Sequence, residues 1–450
     1  MHSKLKQFSR LVVLTVLVFV VGAFTRVAFA TLPIQAWNTQ SGANVLFMQA
    51  EALPMLDVTL AFPAGQRADP LGQDGLADLT AGLLGTTAKG LNEQQIADGF
   101  ANTGARFSAA AAEDYASVSL RTLTDSPQFE QSIDLFIRVL HQPVFEESIL
   151  QRELNRSITG LKESLTRPDV LANRAFAQAL YPKHPYGRLI SEETLLRINQ
   201  QSMKQFFQTH YLGNHAVVAM VGNLSLEQAK ALAERLTEHL PRGDKPASSI
   251  ANIGHQTLQA EMQEVTQVIA HPAAQSHILM GLPAMARGTP DYFNLLVANH
   301  VLGGGGFTSR LMKSIRDDQG LAYSTYSYFI PRGDAGPFQS AVQTKKEQTE
   351  RALSLMKQLI QQFIQEGPTA EEIQAAKSNL IDGFPLRIDS NSDLVSNLTM
   401  MGFYGLPFNY LDTWTQQIEG VTAESAHRAF VEHVKPDKLV TIVVGPEKLH

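Results

Sequence analysis

No cysteine occurs anywhere in the 450 residues. That absence excludes disulfides, thiolate metal sites and a lipid-anchored amino terminus, and it suits an oxidising compartment where a stray thiol would be a liability. Hydrolytic signatures are missing too. The chain has no Gly-x-Ser-x-Gly elbow, no Asp-Thr-Gly or Asp-Ser-Gly triplet and no His-Glu-x-x-His helix, so serine, cysteine, aspartyl and ordinary zinc routes have no local support. Its 13 histidines include His271 and His277, and His433 beside Glu432, without an i, i+4 ligand pair. Positive charge is not in excess either: 37 Lys and Arg face 43 Asp and Glu, which argues against a nucleic-acid partner.

What is present begins with an unusual first segment, residues 1–30. Lys4, Lys6 and Arg10 precede an apolar run from Leu11 to Phe24, and Val27-Ala28-Phe29-Ala30 follows. This is the layout of a cleaved secretory signal, with the cut expected after Ala30 and the periplasm as destination. A retained anchor is the alternative, although the run is shorter than the roughly 20 apolar residues of a membrane span. Without this segment 33 basic side chains oppose 43 acidic ones, a formal charge of -10.

The remaining chain mixes strand-like and helix-like segments, and features recur at an offset of about 220 residues. Leu56 to Phe62 is echoed by His277 to Leu282, each expected to be a first strand; Ala216 to Val221 is echoed by Leu439 to Val444, each expected to be a last strand. Glu146-Glu147 and Glu371-Glu372 open matching helices, where acids favour the helix start. The chain therefore reads as α+β, with two homologous α/β-sandwich-like halves at 31–245 and 261–450. A linker at 246–260 falls in a stretch rich in Pro, Gly, Ser and Asp.

Leu302-Gly303-Gly304-Gly305-Gly306-Phe307-Thr308-Ser309-Arg310-Leu311 is the most distinctive string. Its glycines suggest a phosphate cradle, but the Gly-Lys-Ser or Gly-Lys-Thr ending of a P-loop is missing. A plainer reading is that they let a helix end and backbone pass closely, with Arg316 and Tyr323 as ordinary surface groups. Together with Ile315 to Ser324, however, the string resembles the second-domain signature of the pitrilysin, insulysin and mitochondrial-processing-peptidase family, including an Arg and a Tyr seven residues apart. His184-Pro185-Tyr186-Gly187, the predicted helix Thr194 to Phe207 and Asn214 to Gly222 extend the likeness through the first half. His184 itself reads as a satisfied structural histidine. In that family the Arg and Tyr help to hold the substrate backbone, a role the resemblance assigns to Arg316 and Tyr323.

Catalytic members of the family carry His-x-x-Glu-His on a helix and a distal glutamate ligand. The corresponding stretch here is Gly75 to Thr86, in which Asp78 and Gly82 replace both histidines and Ala81 replaces the glutamate base. Gly160 stands at the distal ligand, seven residues after Glu153. The resemblance thus implies no metal and no catalytic residue in this chain, with zinc expected in a partner subunit. It further implies a homologous His-x-x-Glu-His companion and unfolded peptides or small proteins as substrate. Gly104 to Ala111 matches the family's substrate-binding edge strand, with Ser108 where catalytic members commonly have Asn. A stand-alone peptide-binding pseudopeptidase, homodimeric in isolation, and a structural scaffold subunit are the alternatives.

Overall fold

The computed structural model describes residues 33–243 and 255–449. The predicted signal segment and the predicted linker up to residue 254 lie outside the described residues. Pro33 to Leu449 belong to one compact unit.

In the first half the strands are β1 (Ile34–Asn38), β2 (Asn44–Gln49), β3 (Met55–Phe62), β4 (Arg106–Ala111), β5 (Ala116–Leu123) and β6 (Val217–Gly222), arranged β1-β2-β6-β3-β5-β4. In the second they are β7 (Val265–Ala270), β8 (Gln275–Met285), β9 (Ala322–Phe329), β10 (Gly336–Lys345) and β11 (Val440–Gly445), arranged β7-β11-β8-β10-β9. With β1 set aside the two orders coincide, down to one parallel pair in each, β2 with β6 and β7 with β11. Both β6 and β11 are buried along their whole length, which is why they appear in the sequence as unbroken apolar runs.

Two sequence expectations need correction. Leu56 to Phe62 and His277 to Leu282 are not first strands, because β1 and β2 precede one and β7 precedes the other. β1 and β7 are short and partly or largely exposed, so they lack the dense apolar run that marks a central strand, whereas β2 carries one in Val45 to Met48 that the sequence reading passed over. The helix expected from Thr194 to Phe207 is two helices, Glu192–Leu196 and Gln200–His210. Asn199 divides them: its side chain accepts the Ser202 N–H at 3.0 Å, and a short polar side chain favours such a cap over a helix interior.

Helices of the first half are α1 (Leu76–Leu83), α2 (Glu93–Asn102), α3 (Phe129–His141), α4 (Glu147–Ser164), α5 (Pro168–Leu180), α6 (Glu192–Leu196), α7 (Gln200–His210) and α8 (Leu226–Thr237). Those of the second are α9 (His255–Gln259), α10 (Tyr292–Asn299), α11 (Thr349–Glu366), α12 (Ala370–Gly383), α13 (Asn391–Tyr404), α14 (Tyr410–Glu419) and α15 (Ala423–His433). The acidic opening of α12 is a full capping box, Thr369 accepting the Glu372 N–H and Glu372 accepting the Thr369 N–H, which satisfies two otherwise orphaned donors. Within the predicted linker α9 is tied down by Gln259, whose amide donates to Pro283 O at 2.6 Å and His433 O at 3.0 Å.

The halves exchange helices. From the first half, α5 packs on β8 and β11; from the second, α13 packs on β2, β3 and β6. Glycines mark both contacts. A Cβ at Gly281 would lie 3.0 Å from the Phe176 ring and 1.9 Å from Phe338 O, and one at Gly402 would lie 2.5 Å from Val217 and 2.8 Å from Leu46, so close approach requires the missing side chain. Each sheet therefore owes part of its cover to the other half, and Phe176, Ile278, Leu46 and Val217 fall in one continuous buried cluster.

A buried polar knot reinforces the junction. Asp114, 3% exposed between β4 and β5, accepts hydrogen bonds from the Tyr186 hydroxyl, Arg67 Nη1 at 3.2 Å, the Tyr404 hydroxyl at 2.8 Å and the Gly333 N–H at 2.7 Å. Arg67 also reaches fully buried Asp334 at 2.8 Å, and Arg332 pairs with Glu113. His184 is a satisfied structural histidine. Its Nδ1 accepts the Tyr186 N–H at 3.2 Å, which leaves Nε2 to donate to Asp334 at 2.9 Å.

Candidate functional site

Helix α1 starts where Gly75 takes a left-handed turn at φ 106°, a conformation glycine adopts without strain. The Asp69 carboxylate fixes that start by accepting the Gly75 and Ala77 N–H groups at 2.8 and 2.7 Å. Burial lifts Asp69 to about 7 against the pull of these two amides and Arg188. Leu76 and Leu83 sink into the buried apolar core of the first half, with Phe47, Leu60 and Phe136, while Asp78 and Gly82, one turn apart, line a cavity of about 600 Å³. On α4, Glu153, Ser157 and Gly160 line the same cavity, as their i, i+4, i+7 spacing allows. Asp78, Gly82 and Gly160 thus lie around one space. Ala81 is fully buried.

The chemistry of this space can be read from its donors. Gln66 donates to both Asp78 oxygens at 3.1 Å; burial raises the Asp78 pKa, Gln66 opposes the rise and Glu113 adds to it. Glu153 is engaged by Arg152 at 2.9 Å and Arg156 at 3.7 Å. A Cβ added at Gly82 or at Gly160 would meet nothing within 4 Å, so the two positions are open space rather than filled by substitute side chains. No imidazole lines the cavity. Among the described residues no three His, Asp or Glu side chains gather in a way that could hold a metal ion. Zinc takes four N, O or S ligands in tetrahedral array, and the residues present do not fit it.

In the second half, the helix begun by α10 continues through His300–Gly304 with wider turns, Gly305 N–H bonding back to His300 O at 2.8 Å. A Cβ at Gly303 would strike Ser327 N of β9 at 2.4 Å, so the glycines allow helix and strand backbones to touch. Met312–Asp318 then forms a second helical segment carrying Arg316. Its Cζ lies 5.9 Å from the Tyr323 ring and 4.9 Å from the Phe307 ring, with Asp317 at 3.0 Å. The structure brings Arg316 and Tyr323 together. Tyr323 is 86% exposed and Phe307 68% exposed. Ser108 is exposed on β4, an edge strand.

This is a duplicated chain whose first-half cavity, among the described residues, carries no metal-ligand set. Residues 45–193 match the insulinase domain of peptidase family M16, and residues 197–380 match the peptidase M16 inactive domain. The chain belongs to peptidase family M16, as an inactive-type member. A solved peptidase M16 inactive domain from Pseudomonas fluorescens is 33% identical, with a TM-score of 0.84 over 93% of this chain and 100% of that one. A Helicobacter pylori protein named non-peptidase homolog YmxG is 26% identical over 95% of this chain and 97% of its own. The periplasmic protease PqqL of Escherichia coli shares the fold, at 16% identity and a TM-score of 0.75 over 92% of this chain and 46% of its own.

Sequence reasoning missed Arg174 and Arg188 in the cavity wall. Burial depresses the Arg174 pKa, and its guanidinium donates to Ile190 O at 2.8 Å. It also missed the Asp114 knot. No spacing links Asp114 to Tyr404, 290 positions away, so only the folded chain could reveal it.

Proposed function

We propose that this chain is the non-catalytic, substrate-binding subunit of a heterodimeric zinc metallopeptidase in the periplasm. A homologous companion with His-x-x-Glu-His carries the zinc, and unfolded peptides or small proteins are the substrate. One observation supports the reading above the rest: Arg316 and Tyr323 stand side by side at the surface, with the phenol 86% exposed, on a chain whose own cavity lacks a ligand set. A guanidinium and a phenol so placed can hydrogen-bond a scissile carbonyl and the charge that develops on it. Scaffolding needs neither. An extended peptide adds to the free edge of β4, where main-chain bonds tolerate varied sequence. The secretory layout of residues 1–30 and the fold shared with a periplasmic protease support the location. The joint between halves belongs to the segment 246–260.

The test is to purify the chain without residues 1–30, alone and mixed with the nearest-encoded His-x-x-Glu-His homologue, and follow cleavage of a quenched unstructured peptide with and without chelator. The chain alone is expected to be inert and the mixture active. Arg316→Ala or Tyr323→Phe is expected to lower turnover by the mixture roughly 100- to 1,000-fold, the usual cost of removing one donor to a developing oxyanion. Stoichiometric zinc and cleavage by the chain alone, or a mixture indifferent to both substitutions, would overturn the reading.

A further inference from the structure

A second cavity, of about 490 Å³, lies in the other half, between α10, α13, α14 and the turn after α12. Two arginines enter it, Arg287 and Arg387. Arg387 Cζ sits 5.9 Å from the Trp414 ring and Arg287 Cζ 5.6 Å from the Tyr404 ring. Among the described residues neither guanidinium has a carboxylate within 4 Å, in contrast to Arg67, Arg310 and Arg332. Arg287 Nε is buried without a hydrogen-bond partner. Unpaired buried donors are uncommon in folded proteins and call for an explanation.

Both guanidiniums line this one cavity. Burial holds the Tyr410 hydroxyl above its ordinary pKa, Tyr292 adds to the rise, and the charges of Arg287 and Arg387 both oppose it. Four aromatic rings share the wall with Leu386, Met400, Leu411, Ser396 and Asn397. Phe384 stacks on Trp414 at 4.5 Å, nearly parallel at 9°, and Tyr410 and Tyr292 continue the surface. Asp393, the one acidic side chain lining the cavity, accepts the Ser390 hydroxyl.

We infer that this cavity binds a carboxylate attached to an aromatic side chain, Arg287 and Arg387 taking the carboxylate and the Trp414 side of the wall taking the ring. A planar fork of N–H donors matches a carboxylate, and aromatic walls suit a flat apolar group. The carboxy terminus of a peptide ending in Phe and a free aromatic acid share this chemistry. The site needs no companion subunit, so it stands or falls apart from the proposed peptidase role.

Trp414 supplies the readout, since the chain has only 2 tryptophans and Trp37→Phe leaves it as sole reporter. The full chain carrying that background is titrated with N-acetyl-phenylalanine, its amide, and Ala-Ala-Phe with a free carboxy terminus, following Trp414 emission. A saturable change is expected with the acid, at least about tenfold weaker with the amide, and about tenfold weaker again in Arg287→Gln or Arg387→Gln, each removing charge-assisted hydrogen bonds. Arg387 is exposed, so its variant keeps the test open if Arg287→Gln folds poorly. Tighter binding of the tripeptide identifies a peptide terminus, and equal or weaker binding a free aromatic acid. Absence of saturation with both carboxylates, equal affinity for acid and amide, or indifference to Arg387→Gln would refute the inference.

Discussion

Asp114→Ala is expected to destabilise the folded chain by about 3–5 kcal/mol, the range for removing one partner from a buried ion pair. The reason is the number of groups it leaves stranded. Four donors converge on this carboxylate, from Arg67, Tyr186, Tyr404 and the Gly333 N–H, and all four belong to segments far apart in sequence. Alanine cannot accept any of them, and each buried donor left unmade adds its own desolvation cost. Urea unfolding followed at Trp37 in the first half and at Trp414 in the second, in single-tryptophan variants, measures the effect. The two probes are expected to give one midpoint in the parent chain and a lower one after the substitution. Lys183→Ala, which removes the exposed pair with Glu261, is expected to leave the midpoint unchanged because exposed ion pairs contribute little. An unaltered midpoint in Asp114→Ala would show that water or rearranged neighbours satisfy the same donors.

Zinc uptake is the other large expected effect. Asp78→His, Gly82→His and Gly160→Glu together are expected to convert a chain expected to hold no stoichiometric zinc into one that binds about one ion, because three ligands and a water complete a tetrahedral site. All three positions line one cavity, and the two glycines have open space where side chains would grow. Replacing Gly160 inside a helix also removes a weak helix former. The variant keeps Ala81 and so lacks the base of the inverted motif; it is expected to bind metal without cleaving peptide. Metal analysis after exhaustive dialysis, with circular dichroism to confirm folding, decides the matter. A folded variant that stays metal-free would mean that these positions do not mark the lost site.

The parts of this molecule legible in the sequence are those set by local pattern. Val217 to Val221 and Leu439 to Val444 announce central strands because both faces are buried, and Thr369 with Glu372 announces a helix start because the cap is built from neighbours. The likeness of Gly303 to Tyr323 to a known signature carried the family and the pairing of Arg316 with Tyr323. Where structure depends on distant contacts the sequence is silent. β7 is mostly exposed and owes its place to its parallel partner β11. Ala172, Phe176 and Leu180 recur every four residues along α5 and so mark an apolar face, yet nothing in that spacing says that the face covers the other half's sheet. The two arginines of the second cavity are likewise ordinary in sequence, and only the folded chain shows that they line one space without, among the described residues, a carboxylate within 4 Å.

Helix exchange between the halves also has a consequence in time. The sheet face carrying Leu46 and Val217 is finished as a sheet once β6 has been made, but its cover α13 begins about 170 residues later. At 5–20 residues per second, the ribosome needs roughly 10 to 40 seconds to reach it. Throughout that interval an apolar surface with no partner of its own is presented to whatever surrounds the growing chain. A holdase, or a route that keeps the polypeptide unfolded until it is complete, would cover that surface until α13 arrives.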